Sequence, residues 1–396
     1  MAIVDTINSI KVNVENAYTS LENKGATIPN QKNIQNLSST IESIQSGGGG
    51  DSPIQNSGGK YLARVVDYDG TILKEDWLNT GATFTLPNAP THDRLIFEEW
   101  AGQIDIVDNA ITMPNYDVII GPLYRTKSGW TEIDIELTPA TGLSVEFPEV
   151  ETIDWGDGVI NSDTTHTYDG YGSYTIKVSY GYSEETTNAI CKPQIVIKNI
   201  FLGDSVTFIR YYLFNQYYSL KSITFHKNIT RIDNNAFRYC TSLNTIVLGK
   251  VQAIGERVFE YCTSLENFAV QKGGKIGSAN SNYIFHYCCN LKYFTIPFEP
   301  SASLGTYGFR NAFALRRMTI TSDATSFGNL FFGNMYSLEE MRFVAATKVP
   351  KIETGTFSST QVTAKIIVPD NLYNSWKSAT NWAAMAGQIY KLSEVQ

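Results

Sequence analysis

Residues that could carry out chemistry are few in this sequence and lie far apart. No pattern typical of a serine hydrolase, a zinc peptidase, a phosphate-binding loop or a dinucleotide-binding loop occurs. Glu339 and Glu340 are adjacent, and neighbouring side chains on a strand point to opposite faces, so this pair cannot flank one glycosidic bond. The sequence therefore predicts no catalytic residue, no cofactor and no enzyme activity. The four histidines occur singly, at His92, His166, His226 and His286.

Metal binding is the next chemistry to consider. The chain has five cysteines and no C-x-x-C pair, a count and spacing that fit neither a disulfide framework nor a structural zinc site. Four aspartates of one segment could instead hold calcium, or they build tight turns. We predict no metal site, with calcium at these aspartates as the open alternative. The aspartates are Asp154, Asp157, Asp163 and Asp169.

Charge and composition exclude several classes of protein. The chain has 31 basic and 39 acidic side chains, a net charge of −8, which argues against nucleic-acid binding because no positive field gathers phosphates. No stretch approaches the length of an apolar membrane span, and the N-terminus shows no basic and apolar leader, so we expect neither membrane insertion nor a secretion signal. The 23 tyrosines and 20 phenylalanines favour recognition of protein or carbohydrate.

A repeated pattern occupies the C-terminal half of the chain. Phenylalanines recur every 22–26 residues, and a leucine six residues after each of the first six opens an L-x-x-Φ-x-Φ element, where Φ is apolar. This period and this strand core are typical of a leucine-rich repeat, whose coils bury their apolar faces by stacking. The phenylalanines are Phe214, Phe237, Phe259, Phe285, Phe309, Phe332 and Phe357, and the leucines are Leu220, Leu243, Leu265, Leu291, Leu315 and Leu338.

The details of these repeats carry two further predictions. Residues 236–243, AFRYCTSL, resemble the BspA-type subclass of repeats found in bacterial surface proteins and their phages. Cys240, Cys262 and Cys288 each stand three residues after a repeat phenylalanine, which predicts one buried position for all three thiols.

The repeats predict a solenoid over residues 187–368 and a C-terminal cap over 369–396. In the cap, Asp370 is a candidate N-cap for a helix that carries Trp376 on one face. Strand residues that point away from the core line the inner face of such a solenoid, where they could bind a polysaccharide or form an ordinary solvated surface. The candidate ligand-binding residues on this face are Lys292, Tyr293, Arg316, Arg317 and Arg342.

Two β-rich segments precede the repeats. Residues 60–127 alternate apolar and polar residues, and VDYDG at 66–70, FEEW at 97–100 and ITMPNYDV at 111–118 resemble the Listeria–Bacteroides repeat, a small β-grasp-like module. Residues 128–186 contain WGDG at 155–158, HTY at 166–168 and GSYTIKV at 172–178, which resemble the PKD-type immunoglobulin-like sandwich. In that segment Trp155 is the predicted core residue.

The N-terminal residues 1–46 contain two short heptad-like tracts separated by Gly25 and Pro29, and a flexible linker follows at 47–59. Helices this short need a partner for their apolar stripe. The segment is therefore a docking and oligomerisation element, or alternatively an intrachain helical hairpin. The predicted oligomerisation residues are Ile7, Ile10, Val14, Leu21, Ile34, Leu37 and Ile41.

The sequence thus predicts a multidomain, mainly β protein: an N-terminal helical segment, a small β-grasp-like module, an Ig-like β-sandwich, and a leucine-rich-repeat solenoid with a C-terminal helical cap. These modules are those of bacterial surface adhesins, but the expected absence of a leader favours a phage virion protein assembled in the host cytoplasm. Residues 20–46 resemble the N-terminal segments of virion proteins from phages of Gram-positive hosts.

That resemblance implies a tail fibre or tail-tip receptor-binding protein. The expected partners are other virion proteins, bound through the N-terminal helices, and a host-surface glycan or protein, and we expect a homo-oligomer. A head fibre or capsid decoration protein is one alternative, and a bacterial surface adhesin is another.

Overall fold

A computed structural model describes residues 59–147, 151–179, 192–276, 282–297, 303–360 and 363–395. These residues belong to one unit, Gly58–Gln396, in which the two β modules and the solenoid are packed together. The predicted N-terminal helices at 1–46, with all seven predicted oligomerisation residues, lie outside the described residues, as does the linker except for Gly59.

The first module, residues 60–127, is built on a mixed four-stranded sheet in the order β2-β1-β6-β4. β1 and β6 run parallel, while β2 and β4 pair antiparallel at the two edges. One face of the sheet packs on the β3–β5 pair around Val65, Phe84 and Ile120. Assignment to the Listeria–Bacteroides family stays a prediction. The strands are β1 (Lys60–Val66), β2 (Ile72–Asn79), β3 (Thr83–Thr85), β4 (Leu95–Ala101), β5 (Ala110–Thr112) and β6 (Val118–Thr126).

The second module, residues 128–186, contains strands β7 to β12, of which β10-β9-β12-β7 form one sheet and β11-β8 a second pair. Trp155 is completely buried, as predicted, with His166 stacked on its ring at 4.8 Å. The hydroxyl of Tyr168 donates a hydrogen bond to the Trp155 carbonyl oxygen at 2.9 Å. The Ig-like class stays a prediction. The strands are β7 (Thr131–Leu137), β8 (Ser144–Glu146), β9 (Thr152–Asp154), β10 (Ile160–Asn161), β11 (Thr165–Thr167) and β12 (Gly172–Ser179).

The third part is a β-solenoid, which confirms the repeat architecture predicted from the sequence. Each coil contributes a strand to a parallel inner sheet, and most coils add a two-residue strand on a second side. The strands are β13 (Ile197–Phe201), β14 (Phe208–Ile209), β15 (Ser222–Thr224), β16 (Arg231–Ile232), β17 (Thr245–Leu248), β18 (Ala253–Ile254), β19 (Asn267–Val270), β20 (Tyr293–Ile296), β21 (Ser303–Leu304), β22 (Arg317–Ile320), β23 (Ser326–Phe327), β24 (Glu340–Phe343), β25 (Lys351–Ile352), β26 (Lys365–Val368) and β27 (Ile389–Lys391).

The solenoid core follows the repeat positions. All six repeat leucines are buried, and the repeat phenylalanines from Phe214 to Phe357 form a stack with ring centroids 5.0–6.3 Å apart. Rings that stack between coils bury apolar area that one coil alone exposes, which is why a repeat needs its neighbours.

Both ends of the solenoid are covered. At the first end, β7 of the second module pairs antiparallel with β13, so the sheet of that module continues into the inner sheet. At the last end, β27 pairs with β26, and the buried rings of Trp376 and Trp382 pack on Phe343. Trp376 lies in helix α1 (Tyr373–Ser378). A 3-10 segment at Asp370–Leu372 precedes this helix, and two more follow it at Trp382–Gln388 and Leu392–Glu394.

One detail of the predicted cap is wrong. The N-cap position of the first 3-10 segment is occupied by Pro369 and that of α1 by Leu372, so Asp370 is the N-cap of neither. Its carboxylate instead accepts a hydrogen bond from the Ser393 amide at 3.1 Å, because the chain returns to this point after β27. Asp370 therefore ties the end of the chain to the cap.

Candidate functional site

The inner sheet of the solenoid, the predicted ligand-binding face, is covered by the first module. Strand β6 lies across β15, β17, β19 and β20. The approach is close at Gly121, where a Cβ atom would lie 2.3 Å from Cγ2 of Val247. Nearby, the Tyr124 amide donates a hydrogen bond to the Phe225 carbonyl oxygen at 3.1 Å. The two sheets therefore share one interior.

A buried carboxylate lies at the centre of this contact. Asp117 follows the loop before β6, and its Oδ1 accepts a hydrogen bond from the Leu62 amide at 2.7 Å and lies 2.8 Å from Nη2 of Arg317. The hydroxyl of Thr295 donates to the Asp117 carbonyl oxygen at 2.6 Å. Burial raises the pKa of Asp117 to about 6, although the charge of Arg317 acts in the opposite direction.

Three of the five predicted ligand-binding residues are part of this contact. The Tyr293 ring meets Trp77 edge-on at 5.8 Å. The guanidinium of Arg317 lies over Trp77 at 4.9 Å, and Arg342 lies over Tyr61 at 4.8 Å and pairs with Glu340. Tyr293 and Arg317 are 9% exposed and Arg342 is 2% exposed.

The expectation of an open inner face is therefore corrected for these three residues, because their polar groups and rings contact the first module. Lys292 and Arg316 are half-buried at the points where strands enter the sheet. Arg316 Nη1 lies 3.9 Å from Glu339 Oε1. For these two residues, ligand binding stays a prediction.

Polar contacts also join the rim of the two sheets. The amide nitrogen Nε2 of Gln103 donates to the carbonyl oxygens of Val270 and Gln271 at 2.9 and 3.1 Å. The Lys272 amide donates to the Gly102 carbonyl oxygen at 2.8 Å. Backbone groups thus fix the register of the first module on the solenoid.

The turns around the repeat phenylalanines form another side of the solenoid, which carries partly accessible aromatic rings. Residues two positions after each phenylalanine have a positive φ of 58–67°. This conformation is uncommon for residues other than glycine. It directs each amide to the next coil: Tyr239 donates to the Glu260 carbonyl oxygen at 2.9 Å, and Tyr261 donates to the His286 carbonyl oxygen at 2.8 Å. These residues are Gln216, Tyr239, Tyr261, Tyr287, Asn311, Asn334 and Ser359.

Two rows of tyrosines result. Tyr239, Tyr261 and Tyr287 stack in sequence, each pair of ring centroids being 4.7 Å apart. In the second row, two positions before each phenylalanine, Tyr283 stacks on Tyr307 at 4.7 Å. All five rings are half-buried. We call these five tyrosines the tyrosine face.

The first tyrosine row continues into two further rings, the half-buried Phe313 and the exposed Tyr336. Phe313 lies 6.4 Å from Tyr287 and stacks on Tyr336 at 5.7 Å with the two rings almost parallel. Tyr336 is 45% exposed. An aromatic strip therefore runs along this side of the solenoid.

Buried charges lie between the two rows. Glu260 is 2% exposed and accepts hydrogen bonds from Arg238 Nε at 2.6 Å and Arg257 Nη1 at 3.3 Å, and its Oε1 lies 3.1 Å from Nδ1 of His286. Burial opposes ionisation of Glu260, but the hydrogen bond from His286 and the two arginine charges outweigh it and hold its pKa below the ordinary value. Burial lowers the pKa of His286, so its ring is neutral at pH 7.

The cysteines of the repeats are structural, as predicted for three of them. The thiols of Cys240, Cys262 and Cys288 donate to the carbonyl oxygens of Phe214, Phe237 and Phe259 at 3.1–3.2 Å. Burial raises the pKa of all three thiols, so the reactive thiolate is suppressed.

Two of the four aspartates of the second module, Asp154 and Asp157, accept hydrogen bonds that build turns. Asp154 accepts the Gly156 amide at 3.0 Å, and Asp157 accepts the Val159 amide at 3.1 Å and lies 2.6 Å from His166 Nε2. Among the residues that the structure describes, no three of the His, Cys, Asp and Glu side chains are grouped as metal ligands. In the same part of the chain, no helix is long and apolar enough to cross a membrane.

Sequence reasoning missed Asp117 and the tyrosine face. Nothing in the sequence around Asp117 distinguishes it from the other turn aspartates. The first tyrosine row could have been found, because tyrosine recurs two positions after three consecutive repeat phenylalanines.

Comparison with known proteins identifies the repeat region. A family model described as the BspA type leucine-rich repeat region matches residues 192–280 and 278–381, with six copies. The predicted BspA-type repeats are thereby confirmed for the C-terminal part of the chain. No curated protein matches the chain.

Proposed function

From the BspA-type leucine-rich repeats of residues 192–381, we propose that the protein is a non-enzymatic phage virion protein of the tail fibre or tail-tip receptor-binding type. It attaches the particle to the host cell surface through the accessible side of the solenoid. In the same proposal, the two β modules belong to the Listeria–Bacteroides-repeat and PKD-like classes and support the solenoid.

The observation that carries the proposal is the combination of a covered inner sheet with an aromatic strip on the turns around the repeat phenylalanines. The inner-sheet residues Tyr293, Arg317 and Arg342 are occupied by the first module. The tyrosine face, with Phe313 and Tyr336, combines ring surfaces, hydroxyl groups and buried charges. Aromatic residues of this kind provide large contact area at low entropic cost, which suits recognition.

The fold also supports a role in presentation. Both ends of the inner sheet are covered, by β7 and by the cap around Trp382, and the first module is fixed on the sheet by backbone hydrogen bonds. Such a body holds a binding surface in one orientation. If the N-terminal segment forms a homo-oligomer and docks on other virion proteins, several weak contacts act together and gain strength by multivalency.

The repeat family favours a second candidate, a bacterial surface adhesin that uses the same surface of the solenoid. A head fibre or capsid decoration protein is the other alternative within a virion. The three candidates differ in where the protein is found, and not in the chemistry of the binding surface.

Immunogold electron microscopy tests the location. Antibodies raised against the full chain are applied to particles and cells from a culture that carries the gene. We expect gold at the tail tip of the particles. Gold on the capsid supports the head fibre, and gold on the walls of cells that produce no particles overturns the virion proposal in favour of the adhesin.

Binding of the purified full chain to host cells tests the surface. Tyr336→Ser removes an exposed ring of the aromatic strip and should weaken binding. Tyr171→Ser is the matched control, because Tyr171 is 54% exposed but lies in the second module. Equal binding by both variants and the unmodified chain would show that the strip is not the contact surface.

A further inference from the structure

We propose that the tyrosine face binds a glycan chain, with Nε2 of His286 and Nε of Arg310 as the two polar groups that the sugar hydroxyls engage. The inference rests on the proposed function. It assigns the class of ligand that the solenoid binds and the protein atoms that contact this ligand. These two nitrogens are buried, and neither has a hydrogen-bond partner among the described residues.

The state of His286 follows from its neighbours. Its Nδ1 lies 3.1 Å from the Glu260 carboxylate, which also accepts from Arg238 and Arg257 and is therefore ionised. A carboxylate can only accept a hydrogen bond, so Nδ1 carries the proton of the neutral ring and Nε2 is left as an acceptor. The side chain is 5% exposed, and an unsatisfied acceptor at this depth is costly.

Arg310 supplies the complementary group on the next coil. It occupies the same repeat position as His286, one residue after a repeat phenylalanine, and its carbonyl oxygen accepts the Tyr287 amide at 3.0 Å. Its guanidinium lies 5.1 Å from the centre of the Tyr307 ring, and its Nε is a buried donor without an acceptor. One unsatisfied acceptor and one unsatisfied donor therefore lie on adjacent coils.

This combination selects the chemistry of the ligand. An ionised carboxylate or a phosphodiester offers acceptors alone and leaves Nε2 of His286 unsatisfied. A metal cation would need further ligands, and no suitable group of side chains occurs in the described part of the chain. Sugar hydroxyls both donate and accept, and the tyrosine rings offer apolar faces and hydroxyl groups beside them. A glycan satisfies both nitrogens.

Access to His286 involves the tyrosines. Four tyrosine rings surround the imidazole, with centroid distances of 4.5 Å to Tyr287, 5.3 Å to Tyr283, 5.7 Å to Tyr261 and 6.0 Å to Tyr307. Because Nε2 is buried, a sugar hydroxyl can reach it only after one of these rings turns. Ligand binding should therefore change the environment of His286 and of the tyrosine rings together.

Nitrogen NMR of the full chain labelled with ¹⁵N-histidine tests the proposal directly. The chain has four histidines, so their ring signals can be assigned by single substitutions. The probe is a saccharide released from the wall polysaccharide of a strain to which the full chain binds. We expect the Nε2 signal of His286 to shift on titration, while the signal of His166 in the second module stays in place.

Two variants supply an independent measurement of affinity for the same saccharide. His286→Asn keeps an amide donor for Glu260 and removes the Nε2 acceptor. Arg310→Lys keeps the charge and removes Nε. Each should bind about tenfold more weakly, the effect of one lost hydrogen bond. Arg231→Lys on the short-strand side of the solenoid is the control, with unchanged affinity.

The outcomes separate this inference from the proposed function. If the chain binds cells but the saccharide leaves the His286 signal and both variant affinities unchanged, the glycan site is refuted and the function stands. A shift produced equally by inorganic phosphate, or an Nε2 signal already hydrogen-bonded without ligand, identifies an ion or an ordered water and also refutes it. In the proposed function, particles that carry this protein infect certain strains. If the purified full chain binds none of those strains, the proposed function itself is refuted.

Discussion

Asp117 and Arg317 form a buried ion pair, 2.8 Å between Oδ1 and Nη2, that joins the first module to the inner sheet of the solenoid. The two groups are within contact distance, yet burial raises the pKa of Asp117 to about 6. Removing the carboxylate from water therefore costs more than the attraction of Arg317 returns. The pair joins the module to the inner sheet, and the burial of Asp117 sets the sign of its effect on stability as the pH changes.

This leads to a prediction with a definite sign. The pKa of Asp117 is about 6 in the folded chain and about 3.9 in an unfolded chain. Asp117 therefore contributes stability that is full below about pH 4 and is lost as the pH rises through about 6, roughly 2–3 kcal/mol in total. Asp117→Asn should remove this pH-dependent loss, so its free energy of unfolding should change less between pH 4 and pH 7 than that of the unmodified chain.

Urea unfolding of both proteins between pH 4 and pH 7 measures this difference. Asp105→Asn is the matched control, because Asp105 pairs with Lys272 at the exposed rim of the same contact. An exposed pair contributes about 0–1 kcal/mol. If the stability of Asp117→Asn falls as steeply between pH 4 and pH 7 as that of the unmodified chain, Asp117 is not the group that titrates.

The same chemical change at Glu260 should alter the pH dependence of the free energy of unfolding in the opposite direction. The pKa of Glu260 lies below its ordinary value because His286, Arg238 and Arg257 together outweigh its burial. Glu260 therefore contributes stability that is present above the unfolded pKa of about 4.3 and is lost as the pH falls through the folded pKa. Glu260→Gln removes the charge partner of two half-buried arginines and should cost about 1–3 kcal/mol at pH 7.

The control for this variant is Glu256→Gln. Glu256 lies 3.5 Å from Arg257 but is much more exposed, so its loss should cost less than about 1 kcal/mol. Unfolding curves at pH 7 and at pH 4 should show the Glu260→Gln difference shrinking in acid. A difference independent of pH would point to packing and not to charge.

The close approach of the two sheets gives a prediction that does not depend on charge. A Cβ atom at Gly121 would lie 2.3 Å from Cγ2 of Val247 and 3.1 Å from the Val66 carbonyl oxygen. Gly121→Ala must therefore move β6 away from β17, and overpacking of this kind costs about 1–3 kcal/mol. The free energy of unfolding should fall by that amount.

Gly170 in the second module is the matched position, because a Cβ atom there meets no other group within 4 Å. Gly170→Ala should change the free energy of unfolding by less than about 0.5 kcal/mol. Equal stability of the two alanine variants would mean that the first module does not rest on the inner sheet in solution.

The repeat core could be predicted from the sequence and the burial of the inner-sheet arginines could not, for a physical reason. Phe237, Leu243 and their equivalents were predicted because a solenoid coil is a local unit and its buried positions recur along the sequence. Burial of Arg317 and Arg342 was not predictable in this way. A charged residue on a strand indicates a solvated face unless a partner covers it, and the partner here, with Asp117 and Tyr61, comes from a distant segment.

The tyrosine face illustrates a second limit. Tyrosine recurs two residues after a repeat phenylalanine, as at Tyr239, so a row of aromatic rings could have been predicted from the sequence. The positive φ of Tyr239 and Tyr261 could not have been predicted from the sequence, because tyrosine rarely adopts this conformation in isolation. The hydrogen bond from each amide to the next coil compensates for it, and that bond exists only after the coils have stacked.

The last prediction concerns the thiols. Cys240, Cys262 and Cys288 are completely buried and their pKa values are raised by burial, whereas Cys289 is only partly buried. Since the thiolate is the reactive form, the first three should react with a disulfide reagent only when the solenoid opens. In a Cys191→Ser background, which removes the cysteine outside the described residues, the native chain should show one reactive thiol and the urea-unfolded chain four.

Adding Cys289→Ser to that background should abolish the reaction in the native state and leave the three buried thiols to appear on unfolding. Their rate then reports the free energy of opening of the coils from Phe214 to Phe285, since a protected group reacts through the open state. Glu260→Gln should raise that rate and Glu256→Gln should not, because Glu260 joins the coils of Arg238, Arg257 and His286. Rapid labelling of Cys262 in the otherwise unmodified solenoid would contradict the stacked-coil core on which these arguments depend.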